Sequence, residues 1–249
     1  MAKPLIVGNW KAYVASLKEA KKLFKDIEKA LPRELKSEVV LCPPHSFLPV
    51  LTQKYSGKRI AFGAQDIFFE KGAHTGEVTG AMVKDVGARF AIVGHAEKRA
   101  QGDTDAVVAK KVGAALDARL TPIIAFGESS RDKDGHYLKD LGESIVNSLG
   151  LIDGASLKKV VLAYEPVWAI GAPLPPTART IRETIIFIRK TLVHKYGRSD
   201  SLKVRILYGG AVNEESAPSL RAESEADGLL LGRASIHDEA FVNIVRAWT

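Results

Sequence analysis

Residues 160–169 read Val-Val-Leu-Ala-Tyr-Glu-Pro-Val-Trp-Ala, an apolar run that ends at one carboxylate and continues into a loop marked by proline. A short apolar run bounded by turn residues is typical of a strand that is buried on both faces of a parallel sheet. Glu165 therefore stands where such a strand ends. The same layout recurs where residues 5–7 run into Gly8-Asn9-Trp10-Lys11, and where residues 90–93 run into Gly94-His95-Ala96-Glu97.

Short apolar runs alternate with longer segments of helical period along the chain, which predicts βα units and a parallel sheet. Eight strands are expected, at residues 5–7, 39–42, 60–64, 90–93, 122–126, 160–164, 204–208 and 228–231. Helices fit between them, with a last one near residues 240–248. A helix predicted at residues 180–193 places four apolar side chains on one stripe: Ile181, Ile185, Ile188 and Leu192.

Eight strands are the number that closes a barrel. The predicted fold class is therefore α/β, a single (β/α)8 barrel domain over residues 1–249 with eight parallel strands and surrounding helices. The length of 249 residues agrees with the size of about 250 residues that is typical of such barrels. An open doubly wound sheet is disfavoured, because no glycine-rich dinucleotide-binding turn follows the first strand.

The composition is that of a globular chain, with 46% hydrophobic and 26% charged residues. The sequence has no long uncharged apolar run and no apolar targeting segment at its start, so we expect no membrane association and a cytoplasmic location. Cys42 is the only cysteine and falls in a predicted strand. This position predicts a buried thiol rather than a disulfide or a reactive group.

The net charge of +7 and the pI of about 9.4 are compatible with a nucleic-acid surface or with attraction for small phosphates. Many of the lysines fall in two helix-like segments, residues 16–29 and 105–118, where acidic residues are interleaved with them. We interpret these lysines, including Lys110 and Lys111, as solvated helix faces. Because no strip of aromatic and basic residues accompanies them, no nucleic-acid partner is expected.

Catalytic residues of (β/α)8 barrels lie on the loops that follow the strands, which is where Asn9, Lys11, His95 and Glu165 are expected. Lys11 is open to two interpretations, a solvated lysine at a helix start or a side chain that holds an anion. Its place two residues after Asn9 at a strand end favours the anion.

His95 and Glu165 also have plainer interpretations, as a structural histidine and as a surface ion-pair partner. Gly94 permits close backbone approach, and the residues after His95 could begin a helix whose dipole favours a neutral imidazole. Around Glu165, Tyr164 and Pro166-Val167-Trp168 predict partial removal from water. Such an environment suits proton abstraction from carbon.

Two turns that contain glycine follow the last two predicted strands, Gly209-Gly210-Ala211 after the seventh and Gly232-Arg233 after the eighth. Such turns offer backbone N–H groups, and (β/α)8 barrels often bind phosphate at these two loops. Either turn alone would be interpreted as a tight connection. The two together, after consecutive strands, predict a phosphate-binding site.

Five segments resemble the signature segments of triosephosphate isomerase in order and spacing: GNWK at 8–11, GHAEKR at 94–99, AYEPVWAIG at 163–171, YGGAV at 208–212 and DGLLLGRAS at 227–235. The resemblance covers essentially the whole chain. It implies a TIM barrel that interconverts dihydroxyacetone phosphate and D-glyceraldehyde 3-phosphate through an enediolate. It also implies no metal and no organic cofactor.

The same resemblance implies a role for each matching residue. Glu165 would move the proton between the two carbons, His95 would polarise and protonate the oxygens, and Lys11 would hold substrate charge. Asn9 would donate a hydrogen bond to the developing oxyanion, and Glu97 would orient Lys11. Contacts with a small phosphorylated triose substrate are implied for Asn9, Lys11, Gly171, Ala211, Gly232 and Arg233.

Residues 72–80 resemble the loop that inserts Thr75 into the active site of a neighbouring subunit, which implies a homodimer formed through these residues.

Three positions depart from the family pattern. Ala96 stands where serine is usual, Arg233 where glycine is usual, and Lys98 where an interface arginine is common. A lysine cannot reproduce a bidentate arginine contact.

The active-site lid departs further. The family lid commonly reads GTGKTA, whereas Gly171 is followed here by Ala172-Pro173-Leu174-Pro175-Pro176. Lid amides at positions 173 and 176 usually bond to a serine hydroxyl at position 211 and to the tyrosine that is Tyr208 here. Because Pro173 and Pro176 have no N–H group and Ala211 has no hydroxyl, both hydrogen bonds are lost.

Three functions remain open on the sequence. The first is an active isomerase with an altered lid, which is favoured because Asn9, Lys11, His95, Glu97 and Glu165 are all present. The second is a phosphate-binding barrel with little or no turnover, which would bind a substrate analogue without isomerisation. The third is a Schiff-base aldolase-type barrel that uses Lys11, which borohydride trapping would expose.

Overall fold

Eight parallel strands close into one barrel in the computed structural model, which describes residues 3–150, 152–169 and 175–249. Each strand pairs with the next along the chain, and β1 closes the barrel by pairing with β8, with Leu5 opposite Gly228. The strands are β1 Leu5–Asn9, β2 Glu38–Cys42, β3 Ile60–Ala64, β4 Phe90–Val93, β5 Thr121–Phe126, β6 Val161–Tyr164, β7 Arg205–Gly209 and β8 Gly228–Leu231. The predicted (β/α)8 barrel is confirmed.

Helices connect the strands and surround the barrel. They are α1 Leu17–Ala30, α2 Leu48–Lys54, α3 Gly80–Asp85, α4 Ala96–Ala100, α5 Asp105–Asp117, α6 His136–Leu149, α7 Gly154–Leu157, α8 Ala178–Tyr196, α9 Arg198–Ser201, α10 Ala217–Glu223 and α11 Asp238–Ala247. Short 3₁₀ helices span Val167–Ala169 and Arg233–Ile236. Several helices begin after a hydroxyl side chain that accepts a backbone N–H, as at Ser16, Thr104 and Thr177.

Some strand bounds differ from the sequence prediction: β6 and β7 each begin one residue later than predicted, and elsewhere polar residues continue the backbone pairing. Asn9 was expected in the loop after β1, but it is the last residue of the strand, opposite Cys42 of β2. The reason is that ladder hydrogen bonds involve only the backbone, so a polar side chain does not end a strand. Lys11, His95 and Glu165 do follow the ends of their strands.

Apolar side chains form two layers, because successive residues of a strand point to opposite faces. Leu5 and Val7 belong to the barrel interior, whereas Ile6 packs in the layer between barrel and helices. Cys42 lies in the interior layer and is fully buried, as predicted. Burial raises the pKa of its thiol, which disfavours the reactive thiolate.

The predicted stripe on α8 is also confirmed. Ile181, Ile185, Ile188 and Leu192 are all buried against the barrel. The helix extends beyond the predicted residues 180–193 at both ends, and the last helix begins two residues earlier than predicted, at Asp238. Among the described residues, no helix is long and apolar enough to cross a membrane.

Lys111 contradicts the interpretation of α5 as a solvated basic face. Its side chain is buried, and its ammonium contacts Asp66 at 2.8 Å and Asp103 at 2.7 Å. The helical repeat explains the error, since Lys111 follows the buried Val108 by three residues and so lies on the same face. Lys110 lies one position away, with its ammonium 5.0 Å from the ring centre of Phe69.

Candidate functional site

Side chains from three strand ends meet at the carboxyl-terminal rim of the barrel. Lys11 follows β1, His95 and Glu97 follow β4, and Glu165 follows β6. The Lys11 Nζ atom lies 2.7 Å from Glu97 Oε1, and His95 Nε2 lies 3.4 Å from Glu165 Oε1. The structure therefore brings together the catalytic residues predicted from the sequence, with Asn9 beside Lys11 at the end of β1.

Lys11 lies in a turn and not at a helix start, since α1 begins only at Leu17. Its φ angle is 47°, a left-handed conformation that is uncommon for lysine. The turn is held at both peptide groups, because the Lys11 N–H donates to Asn9 Oδ1 at 3.0 Å and Gln65 Nε2 donates to the Lys11 carbonyl at 2.9 Å. Gln65 was not identified from the sequence, where nothing relates it to Lys11.

Asn9 is buried, and its contact with the Lys11 N–H fixes how its amide is oriented. Because an N–H donor requires an acceptor, the side-chain oxygen faces the turn and the NH₂ group faces away from it. Within the described ranges this NH₂ group has no hydrogen-bond partner. It is therefore available to donate to a bound oxygen.

His95 is buried and caps the N-terminus of α4, which confirms that a helix begins after it. Its Nδ1 atom accepts a hydrogen bond from the Glu97 N–H at 3.2 Å. A neutral imidazole with Nδ1 as acceptor carries its proton on Nε2. That N–H points to the side of the ring where Glu165 lies. Gly94 is required before it, because a Cβ there would lie 2.9 Å from Val108.

A backbone hydrogen bond fixes Glu165 at the rim, and two glycines leave the space that the residue occupies. Its N–H donates to the Phe126 carbonyl at 2.8 Å, and only 13% of its side chain is exposed. A Cβ at Gly127 would overlap the Glu165 carbonyl, and one at Gly209 would lie 2.7 Å from its Cγ. The predicted partial removal of this carboxylate from water therefore agrees with the structure.

Ala96, which stands where the family has serine, still contacts Glu165 through its backbone. The Ala96 N–H donates to Glu165 Oε2 at 3.4 Å. Glu97 is more exposed than Glu165. Burial acts to raise the pKa of Glu97, but the hydrogen bond and the charge of Lys11 lower it below its ordinary value overall.

A buried polar cluster beside Glu165 was missed in the sequence. Glu128 Oε1 accepts from Arg131 Nε at 2.7 Å, from the Tyr164 hydroxyl at 2.9 Å and from Trp168 Nε1 at 2.7 Å. Arg131 also donates to Thr184 of α8 at 2.8 Å, and its guanidinium lies over the Trp168 ring. The sequence does contain a signal for Glu128. In Phe126-Gly127-Glu128, as in Val93-Gly94-His95, a strand end is followed by a glycine and then by a polar residue.

The two predicted phosphate loops lie at the same rim. Gly232 is close to Lys11, because a Cβ on it would lie 3.3 Å from Lys11 Cε and 3.7 Å from Nζ. The Ser235 hydroxyl donates to the Asn9 carbonyl at 3.2 Å and to the Gly232 carbonyl at 2.7 Å, which ties this loop to β1. Arg233 and Ala211 are exposed in the loops after β8 and β7. Gly171, the remaining predicted contact, lies outside the described residues.

Tyr208, for which the resemblance implies a hydrogen bond to the lid, has a buried side chain. Burial raises its pKa to about 12, so the phenol stays protonated near neutral pH. Its hydroxyl lies against Gly210, where a Cβ would be 2.4 Å away, and has no hydrogen-bond partner among the described residues. Pro176 is partly buried, and Pro173 lies outside the described residues.

Asp132, Asp134 and His136 place their possible metal-ligating atoms within 4.8 Å of one another. All three are exposed and lie at the start of α6. Asp132 accepts the backbone N–H groups of His136 and Tyr137, and these hydrogen bonds lower its pKa to about 2. The carboxylate is therefore already used in capping a helix.

Comparisons with known proteins agree with this geometry. The sequence model of the triosephosphate isomerase family matches residues 4–248. The chain is 41% identical to a triosephosphate isomerase of Moorella thermoacetica over 248 residues, which cover 98% of each chain. It is 39% identical to one of Thermoanaerobacter pseudethanolicus, over 98% of this chain and 99% of the relative. For one of Carboxydothermus hydrogenoformans the identity is 38%, over 99% of each chain.

Proposed function

Because the chain belongs to the triosephosphate isomerase family, we propose that it interconverts dihydroxyacetone phosphate and D-glyceraldehyde 3-phosphate through an enediolate. Its relatives are triose-phosphate isomerases, enzymes that convert a ketose into an aldose. One observation carries the mechanism. The Glu165 carboxylate, the His95 Nε2 atom and the Lys11 ammonium converge at the rim where (β/α)8 barrels bind their substrates.

Glu165 is proposed as the base that takes a proton from one carbon and returns it to the next. The low exposure of its side chain keeps water from competing for the proton. The carbonyl of the substrate already acidifies the adjacent C–H group, so one positioned carboxylate suffices for the transfer. Gly127 and Gly209 leave the space that this side chain needs.

His95, Asn9 and Lys11 are proposed to stabilise the charge that develops on the substrate oxygens. His95 offers the Nε2–H as donor, and Asn9 offers its NH₂ group. Lys11 adds a full positive charge, which Glu97 holds in place at 2.7 Å. Donors that are fixed before the reaction cost no reorganisation when the charge appears on the substrate, so the proposed mechanism uses these three side chains and no metal ion.

The phosphate group of the substrate is assigned to the loops after β7 and β8. Gly232 lies close enough to Lys11 for one anion to contact both the loop N–H groups and the ammonium. Ala211, Arg233 and Gly171 complete the proposed contacts. The exposed Arg233 side chain can approach the phosphate or extend into solvent, and its backbone N–H is available in either case.

The proline-rich lid is proposed to close less tightly than the family lid. Replacing a donor and its acceptor together, as with Pro173 and Ala211, is less harmful than leaving one partner alone. Tyr208 is left alone, because Pro176 cannot donate to it. In this family closure excludes water and retains the enediolate, so looser closure lowers turnover and permits loss of phosphate.

A homodimer through residues 72–80 remains our proposal for the assembly. Thr75 is exposed at the tip of this loop, and Gly72 and Gly76 on either side of it adopt positive φ angles. Tyr13 and Met82 are large hydrophobic residues that are 47% and 54% exposed, which supports a partner surface. We also keep one barrel domain over residues 1–249 and a cytoplasmic location as proposals.

A coupled isomerase assay run in both directions tests the function. Turnover of both triose phosphates that is lost in Glu165→Ala would support it. Tight binding of 2-phosphoglycolate without turnover would favour the phosphate-binding barrel instead. Borohydride trapping of substrate on Lys11 would indicate the aldolase, in which the Lys11 amine would have to leave its salt bridge with Glu97 to attack a carbonyl.

A further inference from the structure

A concave pocket of about 290 Å³ lies at the amino-terminal end of the barrel, opposite the catalytic rim. Because parallel strands begin at the same end, barrel closure gathers residues around this pocket that are far apart in sequence. The charged residues that line it come from the starts of the first four strands: Lys3 before β1, Glu38 in β2, Lys58 and Arg59 before β3, and Arg89 before β4.

None of the four cations has an acidic partner among the described residues, and three of them also lack the backbone contacts that hold Arg59. Across the part of the chain that the structure describes, no carboxylate lies within 4.0 Å of the charged groups of Lys3, Lys58 or Arg89. All three residues are exposed, so their side chains can move toward a bound group. Like charges around one concavity repel each other, and a bound anion would offset this repulsion.

The only carboxylate among the described residues that line this pocket, that of Glu38, is already paired with an arginine. Glu38 Oε2 accepts from Arg205 Nη1 at 2.7 Å. Arg59 is fixed in another way, because it donates to the carbonyl groups of Leu31 at 2.7 Å and Glu28 at 2.8 Å near the end of α1. Glu38 therefore does not compensate the three free cations, and Arg59 adds a fixed positive charge beside them.

We propose that this pocket binds a small polyanion that carries at least two phosphoryl groups, such as inorganic pyrophosphate or an organic bisphosphate. Arginine presents a planar fork that matches phosphoryl oxygens, and lysine adds point charges from flexible stems. An anion with a single charge would leave most of the cations unbalanced. Val39, Leu35 and Ala61 form apolar parts of the wall, which reduce screening by water.

The shape of the pocket disfavours nucleic acid as its occupant. Single strands bind along extended basic grooves in which aromatic side chains stack on the bases. The lining residues of this pocket include no aromatic side chain, and they enclose one concave space rather than a strip. The pocket therefore fits one compact ligand.

Isothermal titration calorimetry with inorganic pyrophosphate tests the proposal, with the catalytic rim saturated by 2-phosphoglycolate. The test variant is Lys58→Gln with Arg89→Gln, and both residues are exposed. Its control is Lys18→Gln with Lys25→Gln, which removes the same charge from the exposed face of α1. The affinity of the test variant should fall about tenfold or more, because one charge-assisted contact is already worth on the order of tenfold. The control should stay within about twofold.

Three results would overturn the proposal. Pyrophosphate that does not bind the parent at all excludes the site. An equal loss of affinity in the test and control variants means that only the overall charge attracts the anion. A DNA duplex that binds the parent more tightly than pyrophosphate, and loses that binding in the test variant, identifies a nucleic-acid surface. A parallel titration with a sugar bisphosphate shows whether an organic or an inorganic ligand is preferred, and far-UV circular dichroism checks that both variants are folded.

Discussion

Two cations at one end of the barrel, Lys11 and Arg131, have different surroundings from two at the other end, Lys58 and Arg89. At the carboxyl-terminal rim, Lys11 is bound to Glu97 and Arg131 to Glu128, each at 2.7 Å. At the amino-terminal end, Lys58 and Arg89 have no carboxylate within 4.0 Å among the described residues. A paired cation is held at one position, which suits a reaction that depends on distance. Unpaired cations retain conformational freedom, and together they attract an anion by summed charge.

Replacing Glu165 is the strongest test of the view that the carboxyl-terminal rim is the reactive end. We expect Glu165→Ala to lower kcat by about 10²–10⁴-fold, the usual contribution of a general base, with a smaller change in KM. Glu165→Asp should lose less, because it keeps the carboxylate but shortens its reach. A coupled isomerase assay measures both. The control is Glu34→Ala, an exposed residue between α1 and β2 at the opposite end. Near-normal kcat in Glu165→Ala would remove Glu165 from its role.

Replacing Lys11 tests whether a cation paired with a carboxylate is needed to bind the negative charge of the substrate. Lys11→Met should lower kcat/KM by roughly 10²–10³-fold, as loss of one preorganised donor does, and should weaken binding of 2-phosphoglycolate. In the native enzyme, KM should rise with ionic strength, because salt screens the attraction. Lys18→Met removes an exposed charge of the same kind as a control. If Lys11→Met binds the analogue as tightly as the parent, its charge does not contact the substrate.

Two arginine pairs provide a matched comparison of stability between the ends. Arg131 and Arg205 are each 21% exposed and each lie 2.7 Å from a carboxylate, but Glu128 is 3% exposed and Glu38 is 29% exposed. Arg131→Met should lower the free energy of unfolding by about 3 kcal/mol, because it leaves a buried charge with fewer donors. Arg205→Met should lower it by no more than about 1 kcal/mol.

Chemical denaturation at one fixed protein concentration measures both variants, since dimer formation would otherwise change the apparent stability. Equal losses of unfolding free energy in the two variants would mean that burial of the carboxylate does not determine how much the ion pair contributes to stability.

Restoring the family lid tests the part of the rim that departs most from the family. Two lost hydrogen bonds at about 0.5–1.5 kcal/mol each disfavour closure by roughly 1–3 kcal/mol. Prolines offset about 0.4–1 kcal/mol apiece where their geometry fits. We therefore expect kcat to rise several-fold, and methylglyoxal formed per turnover to fall, in the combined variant Ala172→Thr, Pro173→Gly, Leu174→Lys, Pro175→Thr, Pro176→Ala and Ala211→Ser.

The natural lid serves as the reference in that comparison. If the native chain matches or exceeds the restored variant in kcat and in low methylglyoxal yield, the prolines preorganise the lid and the expected sign is wrong.

The smallest expected effect concerns the Lys11–Glu97 pair and pH. The pKa of Glu97 is lowered in the folded protein, so the pair stabilises the fold above the ordinary glutamate pKa of about 4.3 and this contribution is lost as the pH falls further. The Glu97 side chain is 58% exposed, which limits the effect to about 0.2–1 kcal/mol. Melting temperatures of the parent and Glu97→Gln between pH 6 and pH 3 should converge at the acid end. A constant difference over that range would contradict the assignment.

Much of the fold could be predicted because its signals are local. The bounds of β3, β4 and β8 agree with the apolar runs in the sequence, and the N-cap of α5 is the hydroxyl of Thr104. The prediction that Asn9 lies in a loop was wrong because it relied on the polar side chain, whereas a strand is defined by hydrogen bonds between backbones. Lys111 was misjudged because the sign of a residue's charge was given more weight than its position on the helical repeat.

The site was predictable only as a set of separate strand ends. His95, Lys11 and Glu165 could be identified because each follows an apolar run in a pattern typical of catalytic loops. The residues that form hydrogen bonds around the site could not be identified in this way. Gln65 contacts the Lys11 carbonyl from 54 positions away, and Thr184 contacts Arg131 from 53 positions away. No local pattern in the chain relates such residues.

By itself, the sequence determined the number and order of the strands and the chemical groups that follow each of them. These depend on apolar runs and turn residues, which act over a few positions. Tertiary structure alone decided which charges that are distant in sequence are paired. Lys11 meets Glu97 across 86 positions, and Arg205 meets Glu38 across 167. The physical reason is that an ion pair depends on separations of a few ångströms, and only barrel closure brings those atoms that close.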